Sequence, residues 1–394
     1  MRVGGVANRT RCRSVSSPDW LLGGAVLSLA VWLVLINLRS RFWLADQRLG
    51  EAAELDKWPT VTAVIPARNE AVTIGATVDS LLRQDYPGDF RVIVVDDNSD
   101  DGTAEVSRPG GIADRLSVIS GRPLVAGWAG KLWAVSQGID AVPPQTGYVL
   151  LTDADIEHDP GNLKRLVYKA ETERLHLVSL MVKLRSESFW ESLLIPAFVF
   201  FFQKLYPFPA VNDPTKKIAA AAGGCMLVRR ETLVQAGGIE AIHDQVIDDC
   251  AMARLIKPLG GIWLGLATRT RSLRAYESLS EIWGMVARTA FVQLNHSVWM
   301  LIGTVLGMVV IYLVPLGAVV MGLALERTDL MLVGGGGWLI MVAAYAPTLA
   351  LYGQFAIRGI FLPFAATLYT LMTISSALRH WRGQGAAWKG RHYG

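Results

Sequence analysis

The chain has 394 residues, of which 52% are hydrophobic and 18% are charged, and its 13 Trp complete a composition typical of a protein that contacts lipid. Its net charge is only +4, without the concentrated basic stripe of a nucleic-acid-binding protein, so we expect no nucleic-acid partner. The spacing of Cys12, Cys225 and Cys250 fits neither a disulfide framework nor a zinc site. These cysteines are expected to be small buried side chains in a reducing compartment.

Residues 1–58 are predicted to form a basic leader, a membrane anchor and a linker. Residues 20–38 carry no charge and approach the roughly 20 residues that a helix needs to cross a bilayer. A secretory signal would also begin with a basic leader, but this apolar run is too long and no clear cleavage site follows it. We therefore expect an uncleaved anchor, preceded in the leader by Arg2, Arg9, Arg11 and Arg13.

Residues 59–297 are predicted to form a soluble α/β domain with a mostly parallel sheet. Short apolar, β-branched runs alternate with helical patterns, which is typical of a sheet covered by helices on both faces. Ligands of such sheets bind at the carboxyl ends of the strands. The predicted strands are 61–67, 91–97, 116–120 and 148–155, and the predicted helices are 70–84 and those that begin at Lys131 and Leu163.

Two of these strands end in acidic residues. Asp96 and Asp97 end the second strand, where a turn with helix capping is an equally good explanation. Asp153 and Asp155 end the fourth, and residues i and i+2 of an extended strand point to the same side. Adjacent carboxylates favour a hard cation such as Mg²⁺ or Mn²⁺, which can bridge to phosphate oxygens. The second pair therefore predicts a metal–diphosphate site.

The chain becomes apolar again at about residue 298, and residues 298–394 are predicted to hold three further membrane spans. Buried helices of a soluble domain are the alternative, but such helices rarely run beyond about 18 residues without charge. Residues 189–209 have an uninterrupted apolar run of only about ten residues, too short to span. We interpret them as an interfacial segment beside the active site, with a buried core helix as an equal alternative.

Six motifs, covering residues 61 to about 256, occur in the order typical of family-2 glycosyltransferases: VIPARNE, VVDDNSDDGT, GKLWAVSQG, LLTDAD, GGCMLVRRETL and VIDDCAMARL. The chain resembles this family. The phrase GRPLVAGWAGKLWAVSQG and the membrane-rich carboxyl third more narrowly resemble the bacterial hopene-associated glycosyltransferases. The resemblance implies a Rossmann-like catalytic domain with the GT-A fold that uses a nucleotide-sugar donor.

The resemblance also implies roles for particular positions. Asp97, with Asp96 beside it, would contact the base or ribose of the nucleotide. Lys131 would lie near the nucleotide sugar, with an exposed lysine at a helix start as the alternative reading. Asp153 and Asp155 would hold Mn²⁺ or Mg²⁺ on the diphosphate. The other donor-side positions are Pro66, Arg68, Glu70 and Arg288, and the acceptor-side positions are Gly223, Gly224 and Asp248.

Asp249, the second acid of VIDDC, would be the general base by the same resemblance. Direct displacement at a sugar C1 needs stabilisation of the leaving group and a base within reach of the acceptor hydroxyl. The divalent metal would supply the first as a Lewis acid, and Asp249 the second, so the configuration at C1 should invert. His243 is the alternative base, although a single loop histidine is more often a surface residue.

Three functional hypotheses follow. The leading one is a metal-dependent, inverting glycosyltransferase that moves one sugar to a lipid or lipid-linked acceptor, related to hopanoids if the narrower resemblance holds. A processive polysaccharide synthase is disfavoured, because only Arg288 stands in register with the Q-x-x-R-W motif of such enzymes. Arg288 could pair with phosphate or lie on a helix face near the membrane. A non-catalytic membrane scaffold is disfavoured because the candidate metal ligands and base are all present.

The expected location is the bacterial inner membrane, with the catalytic domain facing the cytoplasm. Arg39, Arg41 and Arg48 follow the first span and favour this orientation. The leader arginines argue for the opposite orientation, as do the basic residues of the tail, which are Arg379, Arg382, Lys389 and Arg391. Charge counting alone does not settle the orientation.

Overall fold

The structure is a computed structural model that describes residues 19–108, 114–383, 387–388 and 391–392. The predicted basic leader, with Arg2, Arg9, Arg11 and Arg13, lies outside the described residues, and so do Cys12 and Lys389.

One eight-stranded sheet organises residues 61–272. Its strands are β1 (Val61–Ala67), β2 (Phe90–Asp96), β3 (Leu116–Ser120), β4 (Tyr148–Thr152), β5 (Ile156–Glu157), β6 (Leu175–Lys183), β7 (Cys225–Arg229) and β8 (Gly261–Ser272). They lie in the order β3-β2-β1-β4-β7-β6-β8-β5, and most neighbours are parallel. β7 and β5 run antiparallel to their neighbours. A short hairpin of β9 (Ala387–Trp388) and β10 (Arg391–His392) lies in the tail.

Helices cover both faces of this sheet and form the membrane part. They are α1 (Asp19–Leu38), α2 (Ile74–Leu82), α3 (Thr103–Val106), α4 (Gly130–Asp140), α5 (Asn162–Thr172), α6 (Phe189–Leu205), α7 (Phe208–Asn212), α8 (Arg230–Gln235), α9 (Asp248–Ile256), α10 (Leu279–Gln293), α11 (Val298–Met308), α12 (Val314–Ala324), α13 (Thr328–Leu351) and α14 (Leu362–Trp381). Short 3₁₀ segments are Phe42–Leu44, Ile239–Ile242 and Ala356–Phe361, and a π-helical turn, Val309–Leu313, joins α11 to α12.

The central strands are apolar because both of their faces are covered. All seven residues of β1 are buried, as expected for a parallel strand between helical layers. Burying a Val or Ile side chain of this kind stabilises the fold by about 1.5–3 kcal/mol. α4 packs directly on β1 at Gly138, where an added Cβ would lie only 2.3 Å from Cγ1 of Val64. Glycine is therefore needed at this close approach, which brings the start of α4 to the sheet edge.

The predicted first and third strands have the same bounds as β1 and β3. The predicted helix 70–84 is shorter, because residues 70–73 form a turn in which the Glu70 carbonyl accepts hydrogen bonds from Thr73 and Ile74. The predicted strand 148–155 ends early, at Thr152, so Asp153 and Asp155 lie in a turn rather than in extended chain. The hydrogen bond from the Thr152 hydroxyl to the Gly224 carbonyl, at 2.8 Å, marks this end of the strand.

Within the described residues, four helices are long and apolar enough to cross a membrane: Asp19–Leu38, Val298–Ala324, Thr328–Leu351 and Ala356–Trp381. The prediction of one amino-terminal and three carboxyl-terminal apolar helices is confirmed. α12 and α13 form an antiparallel hairpin, and α1 packs against both. α1 also contacts the π-helical turn, where the Ser28 hydroxyl donates to the Val310 carbonyl at 2.6 Å.

Residues 189–209 form α6 and the start of α7, and α6 joins the catalytic domain to the apolar helices. Leu194, Ala197 and Phe200 of α6 are fully buried against a cluster that includes Trp32 and Tyr345. The other face of α6 packs on the catalytic core. A location at the bilayer interface stays a prediction for this segment.

Candidate active site

The carboxyl ends of β1, β2 and β4 meet at one edge of the sheet. Because β7 runs antiparallel beside β4, its first residue, Cys225, lies level with Thr152 at the same edge. The end of β8 at Ser272 completes the edge. The topology therefore gathers residues that are far apart in the chain.

Asp96 and Asp97 lie on the β2 side of this edge, and both are buried. Arg68, which follows β1, places a guanidinium nitrogen 4.0 Å from a carboxylate oxygen of Asp97 and donates to the Asn98 carbonyl at 3.1 Å. Oδ1 of Asp96 is buried and makes no hydrogen bond with any described residue. A buried acceptor without a donor is costly in a native structure unless a ligand or water completes it.

The later acids of the DDNSDD stretch cap and brace local structure instead. Asp101 accepts hydrogen bonds from the Thr103 backbone at the start of α3 and from the Ala71 backbone, both at 3.0 Å. The Ser99 hydroxyl accepts from the Asn69 backbone at 3.0 Å. The capping alternative thus holds for this half of the stretch, whereas Asp96 and Asp97 face the sheet edge.

Lys131 lies in the first turn of α4 and joins two acidic positions. Its Nζ is 2.9 Å from Oδ1 of Asp153 and 3.0 Å from Oδ2 of Asp248. Burial alone would lower the pKa of Lys131, but the two carboxylates raise it well above its usual value. Burial raises the pKa of Asp153, Lys131 lowers it, and Asp155 adds to the rise, with a net upward shift. Lys131 is therefore an ion-paired residue inside the site.

Asp155 has a different counter-ion, which the sequence analysis did not find. Nε of Arg274 donates to Asp155 at 2.8 Å, and Nη2 donates to Glu70 at 2.7 Å. Ser272 places its hydroxyl 3.3 Å from the same Asp155 oxygen. Arg274 follows β8 by two residues, and a cation just after an apolar strand could have pointed to it in the sequence. β8, however, was not among the predicted strands.

Asp249 is held at the start of α9 by two backbone groups. Its Oδ2 accepts from the Gly223 N–H at 2.9 Å, and its Oδ1 accepts from the Cys250 N–H at 2.6 Å. Burial, and then the negative charge of Asp248, raise the pKa of Asp249 to about 6. A carboxylate with a pKa near neutrality is better matched to general-base catalysis than one with an ordinary pKa.

The two acceptor-side glycines lie between Asp249 and β7. The Gly223 N–H donates a hydrogen bond to Asp249, and the Gly224 carbonyl accepts one from the Thr152 hydroxyl. A Cβ at Gly224 would lie 3.0 Å from Val182 on β6, so a side chain there would displace the neighbouring strand.

A buried histidine, also missed by the sequence analysis, anchors this arrangement. Asn162 donates to Nδ1 of His158 at 3.0 Å, so Nε2 carries the proton and donates to the Thr152 hydroxyl, also at 3.0 Å. Thr152 in turn donates to Gly224. Burial lowers the pKa of His158 to about 4, so the ring is neutral. The chain of bonds ties the turn with Asp153 to the segment that holds Asp249.

A small open pocket, called the cavity below, lies between the donor-side and acceptor-side residues. Its lining includes Pro66, Lys131, Asp153, Gly223 and Asp248. Five of the predicted site residues therefore share one cavity. Asp249 is hydrogen-bonded to Gly223 in its wall, and Asp155 lies two residues after Asp153.

Two candidates lie at the margin. Arg288 is exposed on α10, and its charge lowers the pKa of Tyr276, which burial raises overall. Arg288 is not among the residues that line the cavity, so it lies at the edge of the site rather than inside it. Nδ1 of His243 is 2.9 Å from the Glu240 carbonyl, and its ring packs on Trp128. Nothing in these contacts assigns His243 to catalysis.

The acidic residues could bind a hard divalent cation only if a bound ligand supplied further oxygen atoms. Glu70, Asp153, Asp155, Asp248 and Asp249 outnumber their cationic partners at the cavity, and their oxygens are the donors that Mg²⁺ and Mn²⁺ prefer. Within residues 19–108 and 114–383, however, no three His, Cys, Asp or Glu side chains are grouped as metal ligands. A metal here would need phosphate oxygens to complete its coordination.

Comparison with known proteins shows the family of the sheet domain and its fold. Residues 62–235 match the model of glycosyl transferase family 2. The chain carries a family 2 glycosyltransferase domain. The mannosyltransferase PcManGT from Pyrobaculum calidifontis, solved with GDP-Man and Mn²⁺, superposes with a TM-score of 0.55 at 19% identity, covering 92% of this chain and 99% of the other. This likeness confirms the predicted GT-A fold.

Two sequence relatives are the 4,4′-diaponeurosporenoate glycosyltransferases of Staphylococcus aureus strains RF122 and USA300. The first is 36% identical over 99 residues, 25% of this chain and 24% of its own length, and the second is 37% identical over 98 residues, 24% of each. The match thus spans about a quarter of these relatives. The prediction of a family-2 glycosyltransferase is confirmed, and the narrower hopene-associated resemblance stays a prediction.

Proposed function

We propose that this protein is a membrane-bound, metal-dependent, inverting glycosyltransferase that moves one sugar from a nucleoside-diphosphate sugar to a lipid or lipid-linked acceptor. The observation that carries the proposal is one shared cavity at the sheet edge. It joins the candidate metal ligand Asp153, its partner Lys131, and Gly223, which positions Asp249.

The donor would lie across the β2 and β4 ends of the edge. The buried Oδ1 of Asp96 offers a hydrogen-bond acceptor to a base N–H or a ribose hydroxyl. Lys131 and Arg274 bring positive charge to the diphosphate, while Asp153 and Asp155 would hold Mn²⁺ or Mg²⁺ against it. A bound divalent cation would supply Lewis-acid stabilisation of the departing diphosphate.

Asp249 would accept the proton of the acceptor hydroxyl. Its two backbone hydrogen bonds fix the carboxylate, and its pKa of about 6 leaves it mostly ionised at neutral pH while retaining basicity. The acceptor hydroxyl would then attack C1 from the face of the sugar opposite the departing diphosphate. Such a direct displacement inverts the configuration at C1.

The acceptor would reach the site from the bilayer. α6 begins at the rim of the site, where Glu191 accepts from the Tyr276 backbone at 2.7 Å, two residues after Arg274. Its first residue, Phe189, is 67% exposed, and one face of the helix packs on α13 and α14. A lipid acceptor is also supported by the sequence relatives, whose name gives 4,4′-diaponeurosporenoate as the substrate. Hopanoid lipids belong in the panel of acceptors to test.

The catalytic domain is proposed to face the cytoplasm. The end of α1 lies on the catalytic side, where Arg39 donates to the carbonyl groups of Lys204 and Leu205 at the end of α6. Arg41 and Arg48 follow on the same side. An excess of arginine next to a span favours the cytoplasmic face.

The test is to incubate the purified protein with a panel of nucleotide sugars and Mn²⁺, with and without membrane lipid, and to measure nucleoside diphosphate release. Asp155→Ala should abolish Mn²⁺-dependent nucleotide binding. Asp89→Ala is the matched control, because Asp89 lies before β2 at the opposite edge of the sheet and is half exposed. Full donor turnover by Asp155→Ala would contradict the metal assignment.

A further inference from the structure

The last apolar helix ends beside the catalytic domain. The Ser376 hydroxyl of α14 accepts from the Phe291 N–H at the end of α10, at 3.0 Å. Four residues later the His380 ring stacks on His296, with ring centroids 4.1 Å apart. Residues 294–297 join α10 to α11, so the end of α14 lies where α11 leaves the catalytic domain.

The chain also enters this segment from the catalytic side. After α13 ends, Gln354 donates to the Ser186 hydroxyl at 3.3 Å and to the Ser192 carbonyl at 2.9 Å. Ser186 and Ser192 flank the start of α6, directly after β6. The Nζ of Lys183, the last residue of β6, lies 5.9 Å from the centre of the Tyr352 ring. Both ends of the segment 352–381 therefore contact the catalytic domain.

Between these ends α14 runs beside α6 and α10. The Tyr369 hydroxyl of α14 donates to the Leu194 carbonyl of α6 at 2.9 Å, and Ser376 is bonded to α10 as described. α6 cannot cross a bilayer on its own, because it leaves β6 at one end and enters α7, in the catalytic core, at the other. α14 has 20 residues and is therefore about 30 Å long. It lies beside α6, at the same distance from the catalytic domain.

We propose that α14 does not cross the bilayer. It enters the leaflet on the catalytic side through the 3₁₀ segment Ala356–Phe361 and returns to that side, forming with α6 and α10 a layer that rests in the acyl region of this leaflet. The described part of the chain then crosses the membrane three times, through α1, through α11 with α12, and through α13, and the end of α14 shares a side with the catalytic domain.

The exposed side chains of the segment suit lipid as the partner. Phe355, Ile357, Phe361 and Phe364 are 82%, 67%, 54% and 50% exposed, which is a costly surface in water and a favourable one in the acyl region. The 3₁₀ segment folds back along α13, where a Cβ at Gly359 would touch Val342. The segment is therefore continuous with the membrane helices.

This placement removes part of the conflict in the charge distribution. Arg379 and Arg382 at the end of α14 join Arg39 and Arg41 on the catalytic side. On the opposite side, between α12 and α13, the described residues include Arg327, which is paired with Asp329. Among the described residues, the arginine excess then lies on the side of the catalytic domain, which favours the cytoplasmic orientation, whereas the leader arginines still oppose it.

The test is cysteine labelling in the full-length protein, after Cys12→Ser, with a membrane-impermeant maleimide in right-side-out and inverted vesicles. Glu105→Cys reports the catalytic side, Thr328→Cys the opposite side, and Arg382→Cys the end of α14; all three positions are exposed. We expect Arg382→Cys to label in the same vesicles as Glu105→Cys, and at least tenfold less in those that label Thr328→Cys.

A cysteine appended after Gly394 repeats the measurement if position 382 is shielded by lipid. Labelling of either tail cysteine together with Thr328→Cys would overturn the proposal, because α14 would then cross the membrane. The readout does not depend on sugar transfer, so it can fail while the proposed function stands, and the reverse also holds.

Discussion

The pH dependence of sugar transfer tests the role of Asp249 most directly. Burial and the adjacent Asp248 raise its pKa to about 6. A general base must be deprotonated to act, so transfer should be fast above this pKa and should fall as pH decreases through it. The acid limb of the profile is therefore expected near pH 6, rather than near pH 4 as for an ordinary aspartate.

The magnitude follows from the ionised fraction. With a pKa of about 6, nearly all Asp249 carboxyls are ionised at pH 8, and roughly one in eleven at pH 5. The rate with saturating donor should fall roughly tenfold between these values. Asp249→Asn cannot accept the proton at any pH, and should lose roughly 10²–10⁴-fold in rate while keeping donor affinity.

The assay is nucleoside diphosphate release across pH 5–9, with nucleotide affinity measured in parallel at each pH. Asp248→Asn should move the acid limb to lower pH, because it removes the charge that raises the pKa of Asp249 and frees Lys131 to lower it further. Asp244→Asn is the matched control, since Asp244 is exposed in the preceding loop.

The reasoning is refuted if Asp249→Asn transfers sugar at nearly the wild-type rate. It is also refuted if the acid limb stays in place in Asp248→Asn while donor affinity is unchanged. In either case another group, such as His243, would have to accept the proton.

Three other changes probe the rest of the site. Arg274→Gln leaves Asp155 without its counter-ion, so Mn²⁺ should bind more tightly in the absence of nucleotide, as measured by titration calorimetry. Unchanged or weaker Mn²⁺ binding would contradict the idea that Arg274 and the metal compete for the Asp155 carboxylate. His158→Ala leaves Thr152 and its partners unsatisfied and should cost about 1–3 kcal/mol, seen as a lower Tm in detergent, and an unchanged Tm would show that the network is dispensable. Asp96→Leu removes the buried acceptor and should weaken nucleoside diphosphate binding about tenfold, whereas equal affinity would move the nucleoside elsewhere.

Local patterns in the sequence carried much of the fold. The apolar, β-branched run 61–67 is β1 residue for residue, because a strand buried on both faces needs no periodicity beyond the run itself. The four apolar helices were equally visible, since their length and lack of charge are set by the lipid environment. Ordered motifs then identified the family, and Asp153 and Lys131 do line the cavity.

Other features depended on contacts between distant segments. The antiparallel β7 brings Gly223 to Asp249, and the end of β8 brings Arg274 to Asp155 and Glu70; neither pairing can be read from spacing along the chain. His158 was invisible for the same reason, since its role arises from burial between Asn162 and Thr152.

The sequence by itself determined the strands at 61–67 and 116–120, which helices are apolar enough for lipid, and which residue types could bind a nucleotide sugar. Only the tertiary structure decided which cation partners each carboxylate, how far the pKa of Asp249 rises, and on which side α14 ends. The physical reason is that hydrophobicity and backbone propensity act locally, whereas electrostatic pairing and burial depend on groups that the fold brings together from distant positions.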